Sequence, residues 1–586
     1  MKKSILINTI SWLCVTIGLF AYLEQTCAFN YFYAEQFRLF RFSSDYVAQL
    51  FSHPGGAMEY LASFLMQFFI YPYVGPLTAA LLFAGIGIGI QGLWRKCSPQ
   101  FSLPILYLVP GILLLFADMD FNYHLEGTLA FALTVGVLNI YIRLSSLRMR
   151  LLFMRIATWA LYFLVGPAAV IAALCAVIYE CLLSSHFKWY SLLLLVWVFI
   201  PIAWWYSGGQ GGEARIVFLP DAYFNPRLPS QTLHYYIWSS LPLIFLIARL
   251  TRYFHEPPFK WWKYISPSLQ LLLAVWLLHA GSQKYNVSKN YQVKILDYYC
   301  HTGQWQQLLE QPLRSAQNSM HACYQNLALA QLGVLGNKLF SFPQCGANGL
   351  WISWNRSASV ASLLSDVNYA IGNVAVAQEL AFEGMIASER AVNPRFLIRL
   401  IETNLIYGHR KVAEKYIYLL EQTHAYARQA TSYRKFLKDD RTVDTDPILG
   451  AKRRCIAHTD GLSQGKGDPN DLLKIIRSNP ESKTTFEYLG AFALLNKEVA
   501  PFVQLMEEYH TKKGLQPMPV HFQEAAILAH ETDTTAWSKC GVTPQVADRF
   551  SAYKQTVLAN KGSYALADKL RMNFGNTYWY YFMFTK

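Results

Sequence analysis

The sequence predicts an all-α protein in which about nine membrane-spanning helices and an interfacial helix, in residues 1–281, precede a soluble helical array in residues 282–586. Two observations predict this architecture. Only 15% of the 586 residues are charged, against roughly a quarter in a soluble domain, yet the mean hydropathy of +0.18 is low for a chain embedded throughout. Residues 1–281 contain 17 Lys and Arg and 11 Asp and Glu, whereas the rest of the chain contains 34 and 26. The high apolar content also excludes a disordered chain.

Nine apolar runs in the first region approach or exceed the roughly 17 residues that a spanning helix needs. The first run follows Lys2 and Lys3 in the manner of a secretory signal, but no small-residue cleavage site follows it, so we interpret it as a membrane helix. Residues 56–73 are also apolar but contain Glu59 and Gln67, and we interpret them as a helix lying along, or dipping into, the outer face of the membrane. The nine runs are 4–23, 76–94, 103–117, 127–143, 151–166, 167–184, 189–206, 234–250 and 265–281.

Basic residues predict the orientation, because cytoplasmic loops of membrane proteins carry an excess of Lys and Arg. With the N terminus in the cytoplasm, 13 of the 17 basic residues of this region flank the cytoplasmic ends of the runs, and four lie in outer loops. We therefore predict a multi-pass protein of the inner (cytoplasmic) membrane, with a periplasmic or otherwise extracytoplasmic C-terminal domain. This use of positive charge argues against a nucleic-acid partner. The four outer basic residues are Arg38, Arg41, Arg215 and Arg227.

Under this orientation, nine of the 11 acidic residues in residues 1–281 fall on the outer face. Acidic residues contribute little to topology, so the orientation rule does not explain their position. Each acid taken alone is most simply a solvating group, but their grouping in a few loops indicates a binding or catalytic site. The nine are Glu24, Glu35, Asp45, Glu59, Asp118, Asp120, Glu126, Glu213 and Asp221.

The densest group lies in the second outer loop, which contains Asp118, Asp120 and His124. Asp-x-Asp spacing allows two carboxylates to bind one hard cation such as Mg²⁺ or Mn²⁺, and an imidazole can complete the set of ligands. The cation would hold a phosphate or diphosphate leaving group and neutralise its charge. Either Glu35 or Asp45, in the first outer loop, would accept a proton from an attacking hydroxyl group.

A glycine-rich segment in residues 207–233 contains Glu213 and Arg215. No Gly-Lys-Ser/Thr follows its glycines, so it is not a P-loop. We interpret it as a lid that closes over a lipid-linked substrate, with Arg215 on the phosphate and with Glu213 and Glu126 facing the substrate. The alternative is a flexible connection that binds nothing.

This layout resembles the GT-C superfamily of polytopic membrane glycosyltransferases. Those enzymes begin in the cytoplasm, carry an acid in a long first outer loop beside a helix along the membrane, and carry a second acidic motif in the next outer loop. Asp118 and Asp120 match the second motif, Glu35 or Asp45 matches the first-loop acid, and Arg215 matches by its position in a late outer loop. The paired acids usual in the first loop are absent here.

The resemblance implies a glycosyltransferase, similar to an oligosaccharyltransferase, that uses a polyprenyl-phosphate or polyprenyl-diphosphate donor. The acceptor would be a protein hydroxyl group (O-glycosylation) or a glycan on the periplasmic face, and a divalent metal such as Mg²⁺ or Mn²⁺ would assist. A hypothesis from another class is a non-catalytic membrane scaffold whose soluble domain binds peptides in envelope assembly or export. Loss of Asp118 and Asp120 would abolish the first function and spare the second.

The sequence of residues 282–586 predicts paired helices that recur as a repeat. Gly372-x4-Ala377 recurs as Gly408-x4-Ala413, an offset of 36 residues, near the 34 of tetratricopeptide repeats, which this region resembles. Stacked helix pairs form a concave surface that could present a polypeptide or glycan acceptor. A loop at 438–470 predicts a break between two helical lobes.

Overall fold

The computed structural model describes residues 2–99, 102–184, 189–207, 214–229, 231–253, 261–312, 318–388, 392–456, 469–509, 511 and 515–585. Within these ranges the chain forms helices and turns, with two isolated β-bridges and no strand. The all-α prediction is therefore confirmed for the described part. The chain divides into two compact units: unit 1 comprises Met1–Tyr291 and Gln422–Ala425, and unit 2 comprises Gln292–Glu421 and Tyr426–Lys586.

Each of the nine predicted apolar runs of unit 1 coincides with a helix, and the segment predicted to lie along the membrane forms a short helix. Single 3-10 turns occur at Gln67–Ile70, Trp189–Leu192 and Pro220–Tyr223. The α-helices are α1 Lys2–Glu35, α2 Ser44–Phe51, α3 Gly56–Met66, α4 Val74–Cys97, α5 Pro104–Asp118, α6 Leu125–Arg143, α7 Leu147–Val165, α8 Ala168–Leu182, α9 Leu193–Trp205, α10 Ala214–Phe218, α11 Thr232–Thr251 and α12 Trp262–Tyr285.

Five of the described helices are long and apolar enough to cross a membrane: Leu6–Glu35, Val74–Cys97, Leu125–Arg143, Thr232–Thr251 and Tyr264–Tyr285. Shorter apolar helices include α5 and α8. Unit 1 is therefore compatible with association with a membrane. The number of spans and their orientation stay predictions.

Helix α8 packs against α6, α7, α9 and α11. Its alanines recur at helical spacing, and Ala169, Ala172, Ala173 and Ala176 are fully buried. Small side chains allow helix backbones to approach closely. Such packing favours helix association in lipid, where the hydrophobic effect does not drive helices together. Close packing of small side chains thus joins α8 to its four neighbouring helices.

A buried salt bridge fastens one end of this bundle. Arg150 of α7 contacts Glu180 of α8 at 2.7 Å, and the Tyr141 hydroxyl group of α6 donates a hydrogen bond to the same carboxylate at 2.9 Å. Arg150 also donates to the Leu144 carbonyl oxygen. Removal of one partner of a buried ion pair leaves the other charge buried without a counter-ion, which is strongly unfavourable. The cluster therefore stabilises the contacts among α6, α7 and α8.

The described part of unit 2 is a succession of helices, many of them joined by short turns, with further 3-10 turns at Leu339–Ser341 and Arg434–Leu437. Several neighbours in sequence pack as pairs. Its α-helices are α13 Ser288–His301, α14 Trp305–Leu309, α15 Ser319–Gln331, α16 Leu335–Lys338, α17 Ala358–Ile371, α18 Val374–Ala387, α19 Pro394–Ile406, α20 Arg410–Glu421, α21 Ala427–Tyr433, α22 Asp440–Asp444, α23 Leu449–Arg453, α24 Pro469–Ser478, α25 Lys483–Leu495, α26 Val499–Tyr509, α27 Val520–Ala529, α28 Thr534–Lys539, α29 Pro544–Ala559, α30 Leu566–Phe574 and α31 Tyr578–Phe584.

The repeat seen in the sequence corresponds to two successive helix pairs, α17–α18 and α19–α20. Gly372 and Gly408 follow the first helix of each pair with φ of 87° and 76°. In both copies the next residue donates its N–H to a carbonyl oxygen five residues earlier, that of Asn368 or Asn404, as in a Schellman turn. The similarity to tetratricopeptide repeats beyond these two pairs stays a prediction. The buried small residues of the repeat are Ala377 and Ala413.

The predicted break at 438–470 is partly described, because 457–468 lie outside the described residues. Its described part contains the short helices α22 and α23. Leu472 and Ile476, which follow it, belong to the same hydrophobic core as Ile371, which precedes it. The core therefore continues across the segment, and a division into two lobes stays a prediction.

We expect Gly372→Ala to destabilise unit 2 by more than Gly303→Ala. A Cβ at Gly372 would lie 2.8 Å from the Cys455 Cβ and Sγ atoms, whereas no atom lies within 4 Å of one at Gly303. Both substitutions incur about 1–2 kcal/mol for an alanine with positive φ, and Gly372→Ala adds about 1–3 kcal/mol of overpacking. Thermal unfolding of the full-length protein measures the difference, and equal losses of stability would contradict the packing argument.

Candidate active site

Two loops of unit 1 are held together where α5 ends and α6 begins. Tyr123 and Phe224 form an isolated antiparallel bridge, and the His124 N–H donates to the Tyr223 carbonyl oxygen at 2.9 Å. The second predicted outer loop therefore lies against the segment that precedes α11. We call this end of unit 1, at which α1 and α5 end and α6 and α11 begin, the acidic end.

A buried ion pair joins the first predicted outer loop to this end. Arg38, which follows α1, donates from Nη1 to Oε1 of Glu126 in the first turn of α6. The two side chains are 5% and 7% exposed. The other terminal nitrogen of Arg38, Nη2, is buried and has no hydrogen-bond partner among the described residues. A buried guanidinium N–H without an acceptor lowers the stability of the fold, unless a ligand accepts a hydrogen bond from it.

Asp118, the last residue of α5, faces α6. The Thr128 hydroxyl group donates to its Oδ1 at 3.3 Å and lies 3.4 Å from the Tyr123 hydroxyl group. Burial raises the pKa of the Tyr123 phenol well above its usual range, and the charge of Asp118 adds to the shift. Tyr123 therefore remains a neutral phenol close to Asp118.

Asp120 has different partners. Its Oδ1 accepts from the main-chain and side-chain nitrogens of Asn122 at 3.0 and 2.9 Å, and its Oδ2 accepts from Gln231 at 2.8 Å. Gln231 directly precedes α11. Asp120 therefore both shapes its own loop and ties that loop to α11.

Two buried histidines also lie at the acidic end. His234 of α11 stacks on Tyr123 with ring centroids 5.4 Å apart. It interacts electrostatically with His124 and with the carboxylates of Asp120 and Asp221. The acidic end thus gathers titratable groups from the second loop and from the segment before α11.

The two first-loop acids that the sequence left as alternatives differ in their surroundings. Glu35 is the last residue of α1 and is 2% exposed. Asp45 lies in the first turn of α2 and is exposed. Glu35 also lies three residues before Arg38, whose N–H donates to its carbonyl oxygen. Glu35 is therefore buried where α1 ends and Asp45 is exposed, and the choice of base between them stays a prediction.

The predicted metal ligands do not form a three-ligand set by themselves. Among the described residues, one group alone brings three His, Cys, Asp or Glu ligand atoms within 4.8 Å of one another, and it does not include Asp118, Asp120 or His124. Mg²⁺, however, is often held by one or two carboxylates together with substrate phosphates. Binding of a cation by Asp118 and Asp120, together with the phosphate of a substrate, therefore stays a prediction.

The side chains of the two charged residues assigned to the predicted lid cannot be located relative to the acidic end. Glu213 lies outside the described residues, as does the side chain of Arg215, which is the second residue of α10. Sequence reasoning assigned no role to Arg38, although it is one of four basic residues predicted on the outer face. The rarity of basic residues on that face is the sequence signal that could have identified Arg38.

Comparisons with known proteins identify the family. The chain belongs to a family described as a family of unknown function (DUF6057), whose model matches residues 2–585. The match extends over both units, from α1 to α31. No curated protein and no solved structure matches the chain.

Proposed function

We propose that the protein is a membrane glycosyltransferase that transfers a sugar or oligosaccharide from a polyprenyl-phosphate or polyprenyl-diphosphate carrier. The acceptor is a protein hydroxyl group or a glycan on the outer, periplasmic face of the inner membrane. In this proposal unit 1 spans the membrane, its acidic end faces outward, and the helix pairs of unit 2 bind the acceptor chain.

The observation that carries the proposal is the combination of a buried arginine with carboxylates beside apolar helices. Arg38 keeps one N–H group available while Glu126 holds the other side of its guanidinium. Guanidinium groups bind phosphate oxygens through charge-assisted hydrogen bonds. A phosphate attached to a lipid would place its charge at Arg38 and its chain among the apolar helices.

The remaining groups suit sugar transfer. Glu35 is the proposed base that accepts the proton of the attacking hydroxyl group, because it is buried at the end of α1. Arg38 stabilises the negative charge that develops on the departing phosphate. Asp118 and Asp120 are proposed to hold Mg²⁺ or Mn²⁺ when the donor is bound, and such a cation would add to this charge stabilisation.

We expect Asp118→Asn and Asp120→Asn to reduce transfer by about 10²-fold, the scale seen when a group that stabilises charge is lost. The measurement uses a strain of the producing organism that lacks the gene, complemented with the full-length variants. Envelope glycoproteins and glycans are followed by mass spectrometry after induction, together with the pool of polyprenyl-linked sugars. The wild type should restore one glycan and lower the amount of its lipid-linked precursor.

Asp548→Asn is the matched control, because it removes the same charge from an exposed position in α29 of unit 2. It should restore the glycan at the wild-type rate. If both loop variants insert in the membrane and also restore the glycan at that rate, the enzyme proposal is wrong. That outcome would favour the non-catalytic scaffold, which needs unit 2 and not the loop acids.

A further inference from the structure

Outside the acidic end, a cysteine, a histidine and an aspartate converge in unit 2. Cys300 and His301 are the last two residues of α13, and Asp366 lies in α17. One ligand atom from each of the three lies within 4.8 Å of the other two. His301 Nε2 is 3.6 Å from Asp366 Oδ2, close to the roughly 3.4 Å between two ligands of tetrahedral zinc bound at about 2.1 Å.

The hydrogen bonds around His301 fix the ring in the orientation that a metal ligand needs. His301 Nδ1 lies 3.0 Å from the main-chain carbonyl oxygen of Asp297, which can only accept, and 3.2 Å from Arg395 Nη1, which can only donate. Donation to Asp297 puts the proton on Nδ1, which is the tautomer that the proposed site uses. The lone pair of Nε2 then faces Asp366. Histidines that bind metals usually donate their other N–H in this way, to a carbonyl or a carboxylate group.

Asp366 is held in a matching manner. Arg399 donates from Nη2 to Oδ1 of Asp366 at 2.9 Å, so Oδ2 is the oxygen nearer to His301. Arg399 is itself fixed by Glu402 at 2.8 Å and by the Tyr369 ring, 3.6 Å from the guanidinium carbon to the ring centroid. The carboxylate therefore has one oxygen engaged and one directed at the histidine.

Charge and access are also compatible with a cation. Arg395 lies 3.2 Å from His301 Nδ1, but Asp297 contacts it through both carboxylate oxygens at 2.9 and 2.8 Å. Together, three carboxylates (those of Asp297, Asp366 and Glu402) surround two guanidinium groups. Cys300 is buried, while the side chains of His301 and Asp366 are 18% and 21% exposed, which leaves a path from solvent.

We propose that Cys300 Sγ, His301 Nε2 and Asp366 Oδ2 bind Zn²⁺ and leave its fourth coordination position open to water or another ligand. A mixed sulfur, nitrogen and oxygen set suits zinc better than Mg²⁺ or Ca²⁺, and three protein ligands with an open position are typical of non-structural zinc sites. Burial raises the pKa of the free Cys300 thiol well above its usual range, so the thiolate would form as the metal binds and releases a proton. The proposal is independent of the glycosyltransferase proposal.

The test uses the full-length protein in detergent, purified without a polyhistidine tag, stripped with a chelator and titrated with Co²⁺. We expect one Co²⁺ per chain, with a thiolate-to-cobalt charge-transfer band and visible bands of tetrahedral intensity, and we expect Zn²⁺ to abolish both. Cys300→Ser should lose the charge-transfer band, and Asp366→Asn should weaken binding by at least about tenfold. Cys345→Ser, at a partly exposed cysteine outside the group, should behave as the wild type.

X-ray absorption of the zinc-loaded wild type gives a second measurement that needs no variant. We expect one sulfur at about 2.3 Å and two or three nitrogen or oxygen atoms at about 2.0–2.1 Å. A coordination shell without sulfur overturns the proposal. So does a cobalt charge-transfer band that is absent from the wild type or that persists in Cys300→Ser.

Discussion

Glu35→Gln is expected to reduce sugar transfer by about 10²–10⁴-fold, the usual contribution of a general base. The substitution keeps the shape of the side chain and removes the proton acceptor at the end of α1. Asp45→Asn is expected to leave the rate close to that of the wild type, because Asp45 lies on the exposed first turn of α2. The measurement is the initial rate at which the glycan reappears in the complemented deletion strain.

The two substitutions also distinguish between the candidates that the sequence left open. Activity lost in Asp45→Asn and kept in Glu35→Gln would assign the base to Asp45 in α2. The choice of Glu35 from its burial would then be wrong. Activity kept in both, with normal amounts of protein in the membrane, would leave the first loop without a base. The proposed mechanism would then be wrong even if Asp118 and Asp120 proved essential.

Much of the fold could be predicted because its signals are local. A long apolar run is a candidate for a spanning helix on its own length and composition, and each of the nine runs of unit 1 coincides with a helix. The 36-residue repeat was visible because a glycine with positive φ is needed at each turn, as at Gly372 and Gly408. The short helices α22 and α23 within the predicted loop were missed, since five-residue helices depend on tertiary contacts more than on periodicity.

The candidate site was predicted less well, because side-chain partners depend on tertiary structure. The sequence places Asp118 and Asp120 in one loop, but it could not show that Thr128 of α6 would contact the first and that Gln231, just before α11, would contact the second. It also could not pair Arg38 with a carboxylate 88 residues away. Cys300 and His301 are adjacent in the sequence. The third residue of the group, Asp366, comes close to them only through the packing of unit 2.

Arg38→Met is expected to destabilise unit 1 by about 3–5 kcal/mol, because it removes the guanidinium that contacts the buried carboxylate of Glu126. Thermal unfolding of the full-length protein in detergent, followed by tryptophan fluorescence, measures this loss. Arg41→Met is the matched control, since Arg41 also lies in the first predicted outer loop and lies over the Tyr46 ring at 5.2 Å. A surface cation–π contact contributes only about 0.5–1 kcal/mol.

The double variant Arg38→Met/Glu126→Leu separates the structural role of the pair from its proposed role in phosphate binding. Replacing both buried charges by apolar side chains of similar size is often neutral or stabilising, so we expect thermal stability to return to nearly that of the wild type. Sugar transfer should not return, because no guanidinium remains to bind the departing phosphate. Recovery of both properties would mean that Arg38 only fastens α1 to α6. Recovery of stability alone would place Arg38 in the donor site, and it would do so without depending on the identity of the sugar.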